Sequence, residues 1–269
     1  MGATASAPVL AVQQVQRRFG GVQALAGVDF EVGAGQLVGL IGPNGSGKST
    51  LVNVITRMID ADAGRVVVDG RDITHVRPHL VADLGVARTY QRLRLTGELS
   101  LRENAASGAL FRLQRATAGL ARLWLDLGSP RRTVFAAADA ALDLMKVPAA
   151  MRDRLPKEVP FSLQRRTEIA RALVASPKVV LLDEPAAGMN PAEVAELGQL
   201  LIAARSQLGV AIVLIEHNME FVMRVVERIT VINRGQRIAF GTPHEIRNDP
   251  AVVEAYLGTR GIAKTAARA

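Results

Sequence analysis

The chain has 269 residues, 49% of them apolar, which is ordinary for a folded protein and enough for one large core with or without an appended subdomain. It has no cysteine, which excludes disulfides and thiolate metal sites and is compatible with a reducing compartment. The net charge of +8 comes mostly from arginine and asks for an anionic neighbour, whether nucleotide, lipid headgroups or nucleic acid, without choosing among them. No apolar run approaches the ~20 residues that span a bilayer. The nearest, Val210 to Ile215, ends in Glu216. The start of the chain lacks the basic residues and long apolar stretch of a secretory signal, so a cytoplasmic location is expected. Met1-Gly2-Ala3-Thr4-Ala5-Ser6 fits an N-myristoylation pattern that small residues meet easily, and it reads as a frayed tail.

Val9 to Gln16 and Val28 to Val32 alternate well enough for two antiparallel strands, joined through Arg17 to Gly27 and closed by the turn Gly33-Ala34-Gly35. Leu37 to Ile41, Val179 to Asp183 and Val210 to Ile215 are continuous apolar runs, as expected of parallel strands covered on both faces. With helix-like segments at Leu51 to Met58 and Pro191 to Ser206, strand alternates with helix, which implies a doubly wound α/β core. Residues 92–160 change character to Ala, Leu and Arg, with apolar positions near helical spacing in Val134 to Met145. They read as a helical insertion punctuated by Pro130, Pro148, Pro156 and Pro160. Near the end, Arg228 to Asn233 and Arg237 to Phe240 flank Arg234-Gly235-Gln236 as a hairpin, and Pro250 to Leu257 suggests a last helix. There is no internal repeat.

Between the first parallel strand and the first helix stands Gly42-Pro43-Asn44-Gly45-Ser46-Gly47-Lys48-Ser49-Thr50. The spacing G-x-x-x-x-G-K-S lets the backbone bend around a polyphosphate with its N–H groups inward, facing the positive end of the next helix. Lys48 is expected to reach the β- and γ-phosphates, and the Ser49 hydroxyl to meet Mg²⁺. Asp183 and Glu184 end a buried strand at the edge where α/β sheets bind ligands. Asp183 can hold Mg²⁺ through water, and Glu184 can polarise the water that attacks the γ-phosphate. Taken alone this would be an exposed acidic pair; the phosphate loop tips the reading towards function. His217, after another strand, could contact the γ-phosphate or be a plain polar terminus. Gln91, ending Val86-Ala87-Arg88-Thr89-Tyr90-Gln91, could ligate Mg²⁺ by its amide oxygen. Phe19, before Gly20-Gly21, could stack on adenine or pack in the core.

In order and spacing these residues resemble the nucleotide-binding subunit of an ABC transporter over essentially the whole chain. Phe19 resembles the adenine-stacking aromatic, Gly42 to Thr50 the Walker A loop, Gln91 the Q-loop, Asp183 and Glu184 Walker B with its catalytic acid, and His217 the switch histidine. Phe19-Gly20-Gly21, Ala87 to Gln91, Leu182 to Pro191 and the ending from Gly241-Thr242-Pro243 to Tyr256-Leu257-Gly258 are similar to LivG-type subunits of branched-chain amino acid importers. The resemblance implies a P-loop NTPase (RecA-like) α/β core: an antiparallel β flank with the first part of the ATP-binding core over 1–91, a helical subdomain over 92–160, and the rest of the core over 161–269. It also implies ATP and Mg²⁺ as cofactors and hydrolysis that needs partners: a second ATPase subunit, membrane permeases and, indirectly, an external solute-binding protein. The chain would then sit peripherally on the cytoplasmic face of the inner membrane, without nucleic acid. Other readings are a soluble ABC-type ATPase acting on nucleic acid or ribosomes, which the charge permits, and a weakly hydrolysing nucleotide-dependent regulator.

One departure points to the second of these. The family's signature loop, L-S-G-G-Q, should fall at Val159-Pro160-Phe161-Ser162-Leu163, because Gln164 to Leu173 resembles the helix that follows it. Pro160 has neither serine hydroxyl nor backbone donor, Ser162 replaces the glycine that allows close phosphate approach, and Leu163 replaces the glutamine. The D-loop aspartate is replaced by Asn190. Since each ATP in the family lies between one subunit's Walker motifs and the other's signature loop, the expected damage falls on the partner's ATP. Intact Glu184 and His217 argue against a pure regulator.

Overall fold

The computed structural model describes residues 7–109 and 129–256. The myristoylation-like Met1 to Ser6, part of the expected helical insertion and the last residue of the expected terminal helix, Leu257, lie outside them. The chain forms two compact units, one of residues 1–81 and 211–269 and the other of 82–210.

In the first unit, β1 (Leu10–Phe19), β2 (Val22–Val32), β4 (Ala63–Val68) and β5 (Arg71–Asp72) make an antiparallel sheet in the order β2-β1-β4-β5. The expected long connection through Arg17 to Gly27 is instead a tight turn at Gly20-Gly21, with Phe19 paired to Val22. The register shifts between Val12 and Val15 and again between Arg17 and Arg18, and Gln14 is left-handed at φ 51°. Such bulges throw the period of two out of phase, so alternation fades while pairing continues. β4 and β5, unassigned from sequence, join through Asp69-Gly70, both at positive φ, the geometry of a two-residue hairpin turn.

The parallel strands of this unit are β3 (Leu37–Ile41), β8 (Ala211–Ile215) and β9 (Arg228–Asn233). β3 pairs with β8 through Val38–Val213 and with β9 through Leu40–Thr230, and β10 (Gln236–Gly241) returns antiparallel to β9. Every residue of β3 and β8 is buried, which is why they read as unbroken apolar runs. Helix α1 runs Lys48–Ile55, starting and ending earlier than expected because it begins directly off the glycine loop and is stopped by left-handed Arg57.

In the second unit, β6 (Val86–Arg88) and β7 (Val179–Asp183) pair in parallel from Val86–Val179 to Arg88–Leu181. Around them lie α2 (Leu101–Ser107), α3 (Ser129–Leu144), α4 (Phe161–Val174) and α5 (Pro191–Leu208). Pro130 falls in the first turn of α3, where a missing N–H costs nothing. Helix α4 begins at Phe161 and not at Gln164, so Phe161 to Leu163 belong to its first turn. The α5 start is fixed by Asn190, whose side chain accepts from the Ala192 and Glu193 N–H groups, and its end by left-handed Gly209. Back in the first unit, α6 (Met219–Val225), α7 (Pro243–Asn248) and a helical stretch over 250–256 complete the chain.

The second unit carries a buried ion pair. Arg165 and Glu168 face each other on α4 at 2.7 Å with side chains 1% and 0% exposed. Replacing one partner of such a pair leaves an uncompensated charge in the interior and costs ~3–5 kcal/mol. Glu168→Leu is therefore expected to lower unfolding stability by about that amount in chemical denaturation, while Glu220→Ala, in the exposed Glu220–Arg224 pair, stays within ~0.5 kcal/mol of the parent.

Candidate functional site

The glycine loop is built by backbone meeting backbone. Gly42 sits at φ 153°, and a Cβ there would lie 2.0 Å from the Ile232 carbonyl oxygen. Gly47 sits at φ 109°, where a Cβ would come within 2.6 Å of the Ala24 oxygen. No other residue fits either position. The turn between β9 and β10 braces the loop from outside: the Gly235 N–H donates to Ser46 O at 2.8 Å, and the Ala26 N–H to Gly235 O at 2.7 Å. Left-handed Arg234 and Gly235 make that turn the tight type that two-residue hairpins use.

Lys48 arches back over the loop, its Nζ donating to Gly42 O at 2.7 Å and Pro43 O at 2.9 Å. Helix α1 opens on Gly47 with no side-chain cap and no acidic residue in its first turn. Its first N–H groups and the positive end of its dipole thus meet no carboxylate of their own, and an ammonium stands beside them. That is an anion site in donor geometry and charge, and it fits a phosphate chain. Ser49 is exposed on the same turn, as are Asn44 and Gly45. Phe19 is 43% exposed with the Arg17 guanidinium 4.8 Å over its ring, so it is a surface aromatic and not a core residue. His217 also lies in this unit, its imidazole largely exposed and its Nδ1 3.9 Å from Glu216 Oε2. Glu216 is buried and accepts from the His217 backbone N–H at 3.2 Å, which sets the turn that presents the imidazole. Tyr256, from the helical stretch 250–256, reaches this loop too: burial pushes its phenol up to about 12, with the Gly42 backbone beside it acting the other way.

In the second unit, β7 delivers Asp183 and Glu184. Asp183 is buried and ion-paired to Arg88 Nη2 at 2.9 Å. Glu184 adopts a left-handed φ of 47°, uncommon for a side chain of its size, which turns it off the strand, and its Oε2 accepts from Gln91 Nε2 at 2.8 Å. Gln91 is itself fixed through its backbone, because Arg165 donates to Tyr90 O and Gln91 O, each at 2.8 Å. Glu168 completes the clamp, accepting from the Arg94 N–H at 3.0 Å. Arg88, Arg165, Glu168 and Glu216 escaped the sequence reading. The available signal was a charged residue placed against an apolar run or helix face, which identifies burial only when the partner is known.

Of the expected signature residues, Pro160 and Phe161 are exposed and Leu163 is half-buried. Ser162 is buried. The Glu193 carboxyl is lowered first by the Asn190 backbone N–H and then by the Ser162 hydroxyl, with Arg166 adding a smaller pull. The Phe161 ring lies against Gly188, where a Cβ would approach it to 3.4 Å. Among the described residues no three His, Cys, Asp or Glu side chains form a cluster that could hold a metal. Asp183, Ser49 and Gln91 offer hard oxygen atoms, the donor type magnesium takes in small number alongside phosphate and water. No helix among the described residues is long and apolar enough to cross a membrane.

Comparison with known proteins bears on this chemistry. The model of the ABC transporter family matches residues 25–187, and one described as a branched-chain amino acid ATP-binding cassette transporter matches 236–261. The high-affinity branched-chain amino acid transport ATP-binding protein LivG of Salmonella typhimurium is 38% identical over 255 residues, covering 94% of this chain and 99% of that one. BraF of Pseudomonas aeruginosa, of the same description, is 38% identical over 254 residues, with 94% and 99% covered. The crystal structure of an ATP-binding cassette of an ABC transporter in its ADP conformation superposes with a TM-score of 0.80 at 32% identity, covering 94% of this chain and all of that one. The chain belongs to the ABC transporter family, as an ATP-binding ATPase subunit built on the P-loop fold.

Proposed function

We propose that this subunit hydrolyses Mg-ATP to drive import of branched-chain or related amino acids through a membrane permease, from the cytoplasmic face of the inner membrane. The observation that carries the reading is the uncapped start of α1 behind a glycine loop held by Ile232 and Gly235, with Lys48 arched over it. The solute class follows from the relatives, whose names specify branched-chain amino acid transport at 38% identity.

Each site residue then has a task. The N–H groups of Gly42 to Thr50 and the Lys48 ammonium bind the β- and γ-phosphates, and Phe19 stacks on adenine. Lys48 exchanges its carbonyl partners Gly42 and Pro43 for phosphate oxygen, so cradle and ligand compete for one ammonium. Ser49, Gln91 and Asp183 serve magnesium, which when bound with the nucleotide offsets charge on the phosphate oxygens. Glu184 orients a water and accepts its proton as the oxygen adds to the γ-phosphorus and the bond to the β-phosphate oxygen breaks, leaving ADP and phosphate. A carboxylate has about four acceptor sites, so Glu184 can hold the Gln91 amide at Oε2 and the water together. The permease would dock beside Gln91 and the helical subdomain 92–160. His217 contacts the γ-phosphate.

The second ATPase subunit is proposed to be a different chain. With Ser162 in place of the glycine and Leu163 in place of the glutamine, this chain offers its partner's ATP a poor signature, while its own Walker residues meet the partner's intact one. An external solute-binding protein would select the cargo.

Lys48→Ala is expected to weaken Mg-ATP affinity of the purified chain by at least ~10-fold in equilibrium titration, from loss of charge-assisted hydrogen bonds. Affinity unchanged by that substitution would overturn the reading. In the assembled transporter, Glu184→Gln is expected to leave nucleotide binding intact and cut turnover ~10²–10⁴-fold. The equivalent substitution in the partner should cost far less; loss of turnover only with the partner's substitution would refute the asymmetry.

A further inference from the structure

Both acids at the end of β7 are held by one short segment, and the two holds differ in kind. Gln91 offers Glu184 a neutral amide and is exposed, so that bond exchanges readily with water. Arg88 offers Asp183 a full positive charge in a pair whose side chains are only 9% and 12% exposed. The guanidinium has little room to leave. Its residue pairs with Leu181 across the strands, and its plane lies 4.8 Å over the Tyr90 ring, which also carries Arg94 at 3.8 Å. The carbonyl of Tyr90 is in turn held by buried Arg165.

We propose that Arg88 is a positioning residue that neutralises Asp183 and thereby sets how tightly the nucleotide site takes a divalent cation. The inference rests on the reading of Asp183 as the magnesium acid. A cation arriving alone meets a carboxylate already neutralised at Oδ2 and is repelled by the guanidinium a few ångströms away, in a place where burial limits screening by salt. A cation arriving on a nucleotide brings phosphate charge that offsets this repulsion. Arg88 therefore keeps the site from collecting divalent ions without nucleotide and makes metal and nucleotide enter together.

Mn²⁺ serves as the probe, its bound and unbound fractions read by electron paramagnetic resonance on the purified full chain, with and without ADP. Arg88→Gln is expected to bind Mn²⁺ about 5- to 20-fold more tightly than the parent without nucleotide, while ADP affinity in chelator stays unchanged. Arg88→Met, which keeps the apolar stem against Tyr90, should behave the same way, and Arg88→Lys should restore the parental Mn²⁺ affinity. Thermal melts of all three identify any variant that fails to fold, and the comparison then uses those that do. Unchanged or weaker Mn²⁺ binding in folded Arg88→Gln or Arg88→Met would overturn the proposal. A parent chain that binds no ADP at all would instead sink the nucleotide reading on which it stands.

Discussion

The acids of β7 owe their surroundings to a guanidinium that scarcely touches water, that of Arg165. Burying a charge is tolerable only when it is paired and hydrogen-bonded, and Arg165 achieves both by donating to Glu168 and to the carbonyls of Tyr90 and Gln91. The requirement works in both directions. Because the guanidinium needs those carbonyls, the segment after β6 is fixed to α4, and because that segment is fixed, Arg88 and Gln91 stand against Asp183 and Glu184. A salt bridge is weak evidence of stability, but here it specifies which backbone atoms lie where. The surface pairs of the same unit, such as Arg102 with Asp153, have no such consequence, since water can replace either partner.

The first unit solves a comparable problem without side chains. The loop must keep its shape around a phosphate although the helix it feeds has no side-chain cap. Gly42 and Gly47 let carbonyls of neighbouring strands approach to distances a Cβ would forbid, and the hairpin turn at Gly235 closes the far side. A loop held by its neighbours' backbone has little freedom to collapse onto its own donors. Lys48 is held by the Gly42 and Pro43 carbonyls through bonds of the kind a phosphate oxygen can replace.

These mechanisms explain what could be read from the sequence. The parallel strands β3, β7 and β8 were legible because full burial on both faces leaves an unbroken apolar run, as in Leu37 to Ile41 and Ala211 to Ile215, whereas β6, short and half-buried at Ala87 and Arg88, was not. The phosphate loop was legible because its glycines answer a local need that only glycine meets. The extent of β1 and β2 was not, since bulges near Gln14 and Arg18 put the alternation out of phase and strand pairing took over from pattern. β4 was unassigned although Val66-Val67-Val68 is β-branched and precedes an Asp-Gly turn, a local hairpin signal. Arg88, Arg165, Glu168 and Glu216 were illegible for a further reason. Each is charged, and a charge is read as surface until its partner, often far along the chain, is seen to be in place.

Helix capping separates ordinary starts from functional ones. Ser100, Asn190, Asn218 and Thr242 each open a helix and accept from its first N–H groups, and three of the four also form capping boxes with a glutamate. Among α-helices whose starts are described, only α1 and α4 open without a side-chain cap, on Gly47 and Pro160. Leaving a start uncapped sacrifices ~1 kcal/mol that a serine or asparagine would supply, and it leaves donors and dipole available to an outside anion. In the proposed function that anion is this chain's own nucleotide phosphate at α1 and the partner's at α4, where the open start persists although the glycine and glutamine do not. Attraction for phosphate at α4 would then come from the helix end, and close approach and orientation would be what Ser162 and Leu163 weaken. Binding at the opposite site should therefore survive better than hydrolysis, because catalysis demands position more strictly than charge.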